Sequence, residues 1–196
     1  MPRAYDMTRR AASTAETAER IAEATERLLA ERPVAAVTLQ AIAEQASVTV
    51  QTVLRHMGSR EGCFAAVTAR VTARVVAQRG QTPAGDVEAA LAALHEHYEA
   101  EGRLVLNLLG QETTEALARE AAEAGRAYHR AWVERCFGPR LPARDHEQVV
   151  DALVAATDLY VWKLLRLDLG RSSEATARTM RRLVEAVLTG PAEEQR

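Results

Sequence analysis

The sequence predicts an all-α fold of about nine helices, and three observations carry that prediction. Apolar residues recur at three- and four-residue spacing in one segment after another, the period of a helix with one buried face. Gly, Pro or a small polar cluster closes most of these segments. The composition is 47% apolar but only 4% aromatic, and its Ala, Leu and Val suit closely packed helices. At 196 residues the chain can bury a sizeable core, in one or two domains.

Residues 1–14 read as a loose arm whose charges are Arg3, Arg9 and Arg10. A helix over 15–31 buries Ala18, Ile21, Ala22, Thr25, Leu28 and Leu29, and Arg32-Pro33 ends it, because a residue before proline leaves the α region. Residues 38–60 are the most informative stretch. Leu39, Ile42, Ala43 and Ala46 form one apolar stripe behind an N-cap at Thr38. The pattern breaks at Ser47-Val48-Thr49, and Thr49 can cap a second short helix that buries Val53, Leu54 and Met57. Its other face is Val50, Gln51, Thr52, Arg55 and His56: small, polar and cationic, with no acid. A short helix braced at an angle by another is what a DNA major groove admits.

A linking helix over 59–78, capped by Ser59, carries Phe64, Val67, Val71, Val75 and Val76. The Gly80 to Gly85 stretch with Pro83 is the first clear break. Helices follow over 86–100, ended by Gly102, over 103–111, and from Thr113 or Thr114 to Phe137, stopped by Gly138-Pro139 and Pro142. Residues 145–169 read as the longest helix, with one apolar row of Val149, Leu153, Ala156, Tyr160, Leu164 and Leu167. A second row is Val150, Val154, Val161 and Leu165. Such a helix is buried on more than one side. The last helix, 173–188, carries Ala177, Met180, Leu183, Val184, Val187 and Leu188. Two C-terminal helices with spare apolar surface suggest a homodimer closed by a four-helix bundle.

The 38–60 stretch resembles the helix-turn-helix of the TetR family of transcriptional regulators. The family pattern runs roughly Thr-x-x-x-Ile-Ala-x-x-Ala-Gly-Val-Ser-x-x-Thr-x-Tyr-x-His-Phe-x-x-Lys. Thr38, Ile42, Ala43, Ala46, Val48, Thr49, Thr52 and His56 match it in register. Arg60 stands at the Lys position. Ser47 replaces the turn Gly, Leu54 the Tyr that touches a phosphate, and Met57 the Phe. The resemblance implies a three-helix DNA-binding domain over 1–60, with 59–78 as the link, and a ligand-binding and dimerisation domain over 79–196. It implies a homodimer on double-stranded DNA with a palindromic operator, most simply a ligand-responsive repressor. The dimer would form through helices 145–169 and 173–188. Gln51 and Arg55 are then the base readers and Val50 a contact for a thymine methyl. Thr38, Thr52, His56 and Arg60 would position the phosphate backbone. The arm is either a plain tail or a reach to phosphates or the minor groove. An inducer cavity in the second domain makes Tyr98, Asn107, Gln111, Tyr128, Trp132 and Tyr160 candidate ligand contacts, as polar-tipped or aromatic residues in apolar helices.

Charge alone does not predict DNA binding, since the net charge is −2. Cys63 and Cys136 form no Cys-x-x-Cys and read as reduced thiols of a cytoplasmic protein. No apolar run is long enough to span a membrane. No Gly-rich phosphate loop, Gly-x-Ser-x-Gly or His-Glu-x-x-His occurs, so no cofactor, no metal and no enzymatic activity are expected. In His95-Glu96-His97 the two imidazoles point to different helix faces. Two other readings stay open: a helical interaction module with a structural helix-turn-helix, and an enzyme with a regulatory helical domain.

Overall fold

The structure is a computed structural model that describes residues 3–190, with side chains from residue 12 onward. Among the described residues every regular element is helical. In chain order these are α1 (Arg3–Glu31), α2 (Leu39–Gln45), α3 (Val50–Met57), α4 (Arg60–Gly80), α5 (Val87–Leu109), α6 (Ala116–Phe137), α7 (His146–Ala156), α8 (Leu159–Lys163) and α9 (Ser173–Thr189). Short 3-10 turns occupy Val34–Ala36 and Gly138–Arg140, and a π turn occupies Leu164–Asp168. Two compact units result. One comprises the chain up to Ala73 with Leu104–Ala122, the other Arg74–Arg103 with the chain from Glu123 onward.

The first unit is built as the apolar periodicity requires. Ile21, Leu28 and Leu29 of α1, Ile42 of α2, Val53 of α3 and Val67 of α4 are all buried. Thr25, the polar member of the α1 stripe, is fully buried and donates to the Ile21 carbonyl at 2.8 Å, so its hydroxyl is satisfied inside the helix. On the outer side of α1, Glu19, Glu23 and Glu26 surround the Arg70 guanidinium of α4.

Three expected boundaries differ. The helix begun at residue 15 starts instead at Arg3, because nothing between Arg3 and Pro33 breaks a helix. The side chains of Arg3, Arg9 and Arg10, on which the arm reading rests, lie outside the described ones. Gly102 does not end a helix: α5 runs through it to Leu109. The reason for glycine there is tertiary. A Cβ at 102 would stand 2.7 Å from Cζ3 and 2.9 Å from Cη2 of Trp162. The 145–169 helix is interrupted at Thr157 and Asp158. The Thr157 hydroxyl donates to the Leu153 carbonyl at 2.6 Å, and the Asp158 carboxylate caps α8 by accepting from the Tyr160 amide at 2.7 Å.

The division into units also differs from a boundary near residue 79. The turn after α5 and the start of α6 group with the first unit. Asn107 accounts for part of this. Its side-chain amide donates to the Leu29 and Arg32 carbonyls, both at 2.6 Å, closing the C-terminus of α1. Gln111 donates in turn to the Asn107 side-chain oxygen at 3.1 Å.

In the second unit the core is Leu94 and Tyr98 of α5, Trp132, Val133 and Phe137 of α6, Val150 and Leu153 of α7, Trp162 of α8, and Met180 and Val184 of α9. Tyr160, Leu164, Leu169 and Leu183 leave large apolar surfaces exposed. So the Tyr160–Leu164 side of the expected double row is not covered within this chain. Val76 of α4, expected in the core, is exposed as well. No helix among the described residues is long and apolar enough to cross a membrane.

Candidate nucleic-acid interface and a buried polar cluster

The turn between α2 and α3 is set by backbone geometry that the sequence only partly advertises. Ala46 closes α2, and Ser47 takes φ 54, the left-handed region where a family glycine would sit without strain. The Val48 amide then donates to the Ala43 carbonyl at 2.9 Å, which turns the chain sharply into α3. Thr49 is in extended conformation, and its hydroxyl accepts from the Thr52 amide at 3.1 Å. Thr38 does the same for α2, accepting from Ala41 at 3.1 Å. Both caps satisfy amides that have no partner within the helix. Gly58, at φ 77, ends α3.

Along α3 only Val53 is fully buried, with Leu54 and Met57 partly covered. Gln51 and Arg55 are exposed; Val50, Thr52 and His56 are partly so. The helix holds no acidic residue, and its two basic residues, Arg55 and His56, lie in its last turn. Arg55 and His56 approach each other at 3.5 Å, and among the described residues no acid lies within ion-pair distance of the Arg55 guanidinium. Thr52 is less free: its hydroxyl lies 2.9 Å from that of Thr49.

Arg60 departs from expectation. Its Nε donates to the Val37 carbonyl at 2.8 Å and a terminal nitrogen to the Val34 carbonyl at 2.6 Å. Its guanidinium lies over the Phe64 ring at 4.5 Å. These contacts fasten the 3-10 turn before α2 to α4 and leave little of the fork for a phosphate. Ser59 caps α4 through the Gly62 amide at 3.1 Å.

The six residues marked for a ligand do not come together. Asn107 and Gln111 belong to the first unit and close α1, as described. Tyr160 is 53% exposed at the start of α8. Tyr98, Tyr128 and Trp132 do converge, around a residue the sequence reading passed over: Arg79, only 2% exposed in the last turn of α4. Its guanidinium lies 4.0 Å from the Trp132 ring centroid and 5.4 Å from that of Tyr128. One terminal nitrogen donates to Nδ1 of His129 at 2.8 Å. That bond places the imidazole proton on Nε2, which donates to the Thr157 hydroxyl at 3.1 Å. The Thr157 hydroxyl in turn donates to the Leu153 carbonyl, and the Thr157 carbonyl accepts from the Tyr98 hydroxyl at 2.8 Å.

Burial, then the neighbouring Arg79, holds His129 at a pKa of about 4. Burial, Arg79 and His129, in that order, hold His97 at about 3. Both imidazoles are neutral at pH 7. Burial also raises the Tyr98 phenol and the thiols of Cys63 and Cys136. Among the described residues no group of three or more His, Cys, Asp and Glu could hold a metal ion. His95 bonds Ser173 at 2.7 Å instead.

A capped α3 with an exposed polar face, held by α1 and α2, has the form of a helix-turn-helix. Residues 21–67 match the family model of bacterial regulatory proteins, tetR family. Over this stretch the chain is thus similar to the N-terminal domain of the tetR family of bacterial regulatory proteins. No curated protein matches the chain. Among solved structures it is similar to a transcriptional regulator from Rhodococcus sp. Rha1, with TM-score 0.72 and 18% identity over 88% of this chain and 96% of that one. It is also similar to a TetR transcription regulator from Haloarcula marismortui, at 0.65 and 19% over 89% and 97%. A third is a candidate transcriptional regulator from Saccharomonospora viridis in complex with choline, at 0.64 and 18% over 87% and 96%. At these identities the likeness is one of fold.

Proposed function

We propose that this protein is a cytoplasmic, ligand-responsive repressor that binds a palindromic operator as a homodimer. The observation that carries the reading is the outward face of α3, where Gln51 and Arg55 are exposed beside no acid on a helix fixed at both ends. In this reading Gln51 reads an adenine edge, Arg55 a guanine edge and Val50 a thymine methyl. Thr38, Thr52 and His56 make backbone contacts, while Arg60 braces the unit from inside. The exposed Tyr160, Leu164, Leu169 and Leu183 supply the apolar surface that a second copy would cover. The choline bound by the Saccharomonospora viridis protein supports a small-molecule ligand for the second unit, with Tyr98, Tyr128 and Trp132 as its walls. Asn107, Gln111 and Tyr160 have no part in it. The ligand-bound dimer would hold its two reading helices at a spacing the duplex does not match. A hundredfold loss of DNA affinity needs about 2.7 kcal/mol of differential affinity between the two states.

Selection of bound sequences from a random duplex pool tests the reading. The expected outcome is a palindrome whose half-sites lie about one helical turn apart. No enrichment even at low salt, where phosphate contacts are strongest, would overturn it. Arg55→Ala then separates a reading helix from a merely structural one. The side chain is exposed, so circular dichroism and the melting temperature should not change. Affinity for the selected site should fall by about 1–3 kcal/mol, with relaxed preference at one position of each half-site. Unchanged affinity would favour the interaction-module reading.

A further inference from the structure

The geometry points to a binding site for a small organic monocarboxylate at Arg79, in the second unit. This deepens the ligand-responsive reading above and rests on it. Arginine is ordinarily buried only with an acid beside it, because an unpaired charge out of water is costly. Arg79 has none: among the described residues no carboxylate lies within ion-pair distance of it, and none contributes to its titration. The charged group nearest in kind is another cation. Arg135 donates to the Thr82 and Arg79 carbonyls at 2.7 and 2.8 Å. Tyr98, Tyr128 and Cys136 face Arg79 as well, and all three are neutral when protonated. The faces of Trp132 and Tyr128 offset part of the cost, but a π-face does not complete a guanidinium's hydrogen bonding.

What is missing can be read from the atoms left without a partner. Nε of Arg79 has none, nor has Nε1 of Trp132, and His97, 7% exposed, has none at either ring nitrogen. Arg79 Nε and Trp132 Nε1 are donors, and a neutral imidazole brings one more. Buried donors left unsatisfied by the protein ask for an acceptor from outside. The charge of that acceptor follows from the cluster. Arg135 is exposed to solvent, and His97 and His129 are neutral at pH 7, so Arg79 is the one buried positive charge of the cluster, and one negative charge balances it. A dianionic phosphate ester would leave an excess. The planar fork of arginine matches a carboxylate, and the rings of Trp132, Tyr98 and Tyr128 suit an aromatic or aliphatic body. Tyr128 is the partly exposed member of the cluster, on the side open to solvent.

Benzoate and octanoate are the probes, with benzamide, octanamide, choline and sodium chloride as controls at matched ionic strength. Thermal unfolding of the full chain is followed by circular dichroism, and binding by the fluorescence of its two tryptophans, of which Trp132 touches Arg79. A carboxylate should raise the melting temperature saturably and alter the emission, while its amide, choline and chloride do neither. Arg79→Met should weaken carboxylate binding roughly tenfold or more, the loss of one charge-assisted pair. The proposal is overturned if neither carboxylate has an effect, if amide or chloride matches the carboxylate, or if binding survives in Arg79→Met. Should that variant not fold, the comparison of acid with amide on the unmodified chain still decides. No DNA enters these measurements. A palindromic operator without carboxylate binding removes only the ligand class, and carboxylate binding without an operator removes only the regulator reading.

Discussion

Gly62→Ala should cripple the N-terminal unit. Gly62 lies in the first turn of α4, just past α3, and a Cβ there would overlap the Met57 carbonyl oxygen and approach its carbon at 3.0 Å. Both are backbone atoms of the last residue of α3, so no side chain can swing aside. Overpacking of side chains typically costs about 1–3 kcal/mol, and a backbone obstacle belongs at or above the upper end. That is a large share of a typical domain's roughly 5–15 kcal/mol. Relief requires α3 to shift against α4, and Arg55 would move with it. The urea midpoint should fall, and binding to the selected duplex should be lost even in whatever fraction stays folded. Gly125→Ala in α6 is the control. A Cβ there meets nothing, and the change should stabilise by up to about 1 kcal/mol. A Gly62→Ala protein as stable as the parent would mean that the close approach to Met57 is wrong.

The second large effect is acid sensitivity in a range where most carboxylates are still ionised. His97 and His129 titrate at about 3 and about 4 in the folded chain, below the unfolded value of 6.5, chiefly because burial disfavours the imidazolium. Below pH 6.5 the unfolded chain therefore binds protons that the folded chain refuses. The stability they contribute is complete above pH 6.5 and drains away as the pH falls toward 4. Each histidine should cost on the order of 2 kcal/mol between pH 7.5 and pH 5. Urea midpoints across that range should drop, and His97→Gln, which has no ring-nitrogen partner to lose, should flatten the slope. A midpoint independent of pH, or an equal slope in the variant, would show that His97 is not buried uncharged.

What was legible in the sequence was local. Thr38, Thr49 and Ser59 cap the helices they precede because capping needs only a hydroxyl and an amide three residues on. The stripes of α1 and α2 face their core because periodicity and burial are one fact seen twice. What failed was tertiary. Gly102 carries a helix terminator's signal, but its reason is the edge of Trp162, sixty residues on. The 145–169 pattern is continuous in hydropathy, and only the bonds of Thr157 and Asp158 interrupt it. Asn107 and Arg60 look like site residues because polar side chains in such places often are. Their partners are carbonyls of distant turns, which no spacing reveals. Arg79 was missed for the opposite reason: a lone arginine in a last helical turn reads as solvated. The one hint was the aromatic run Tyr128-His129-Arg130-Ala131-Trp132, whose rings line one side of α6.

The two cysteines fall one to each compact unit, Cys63 in the first and Cys136 in the second, and both are wholly buried with thiols made less acidic by burial. Each unit therefore carries a latent chemical tag of its own. A thiol-directed reagent can reach a sulfur only while the surrounding helices are open, and it then records that event permanently. Peptide mapping after timed exposure would tell the openings of the first unit from those of the second, without adding a probe to the chain.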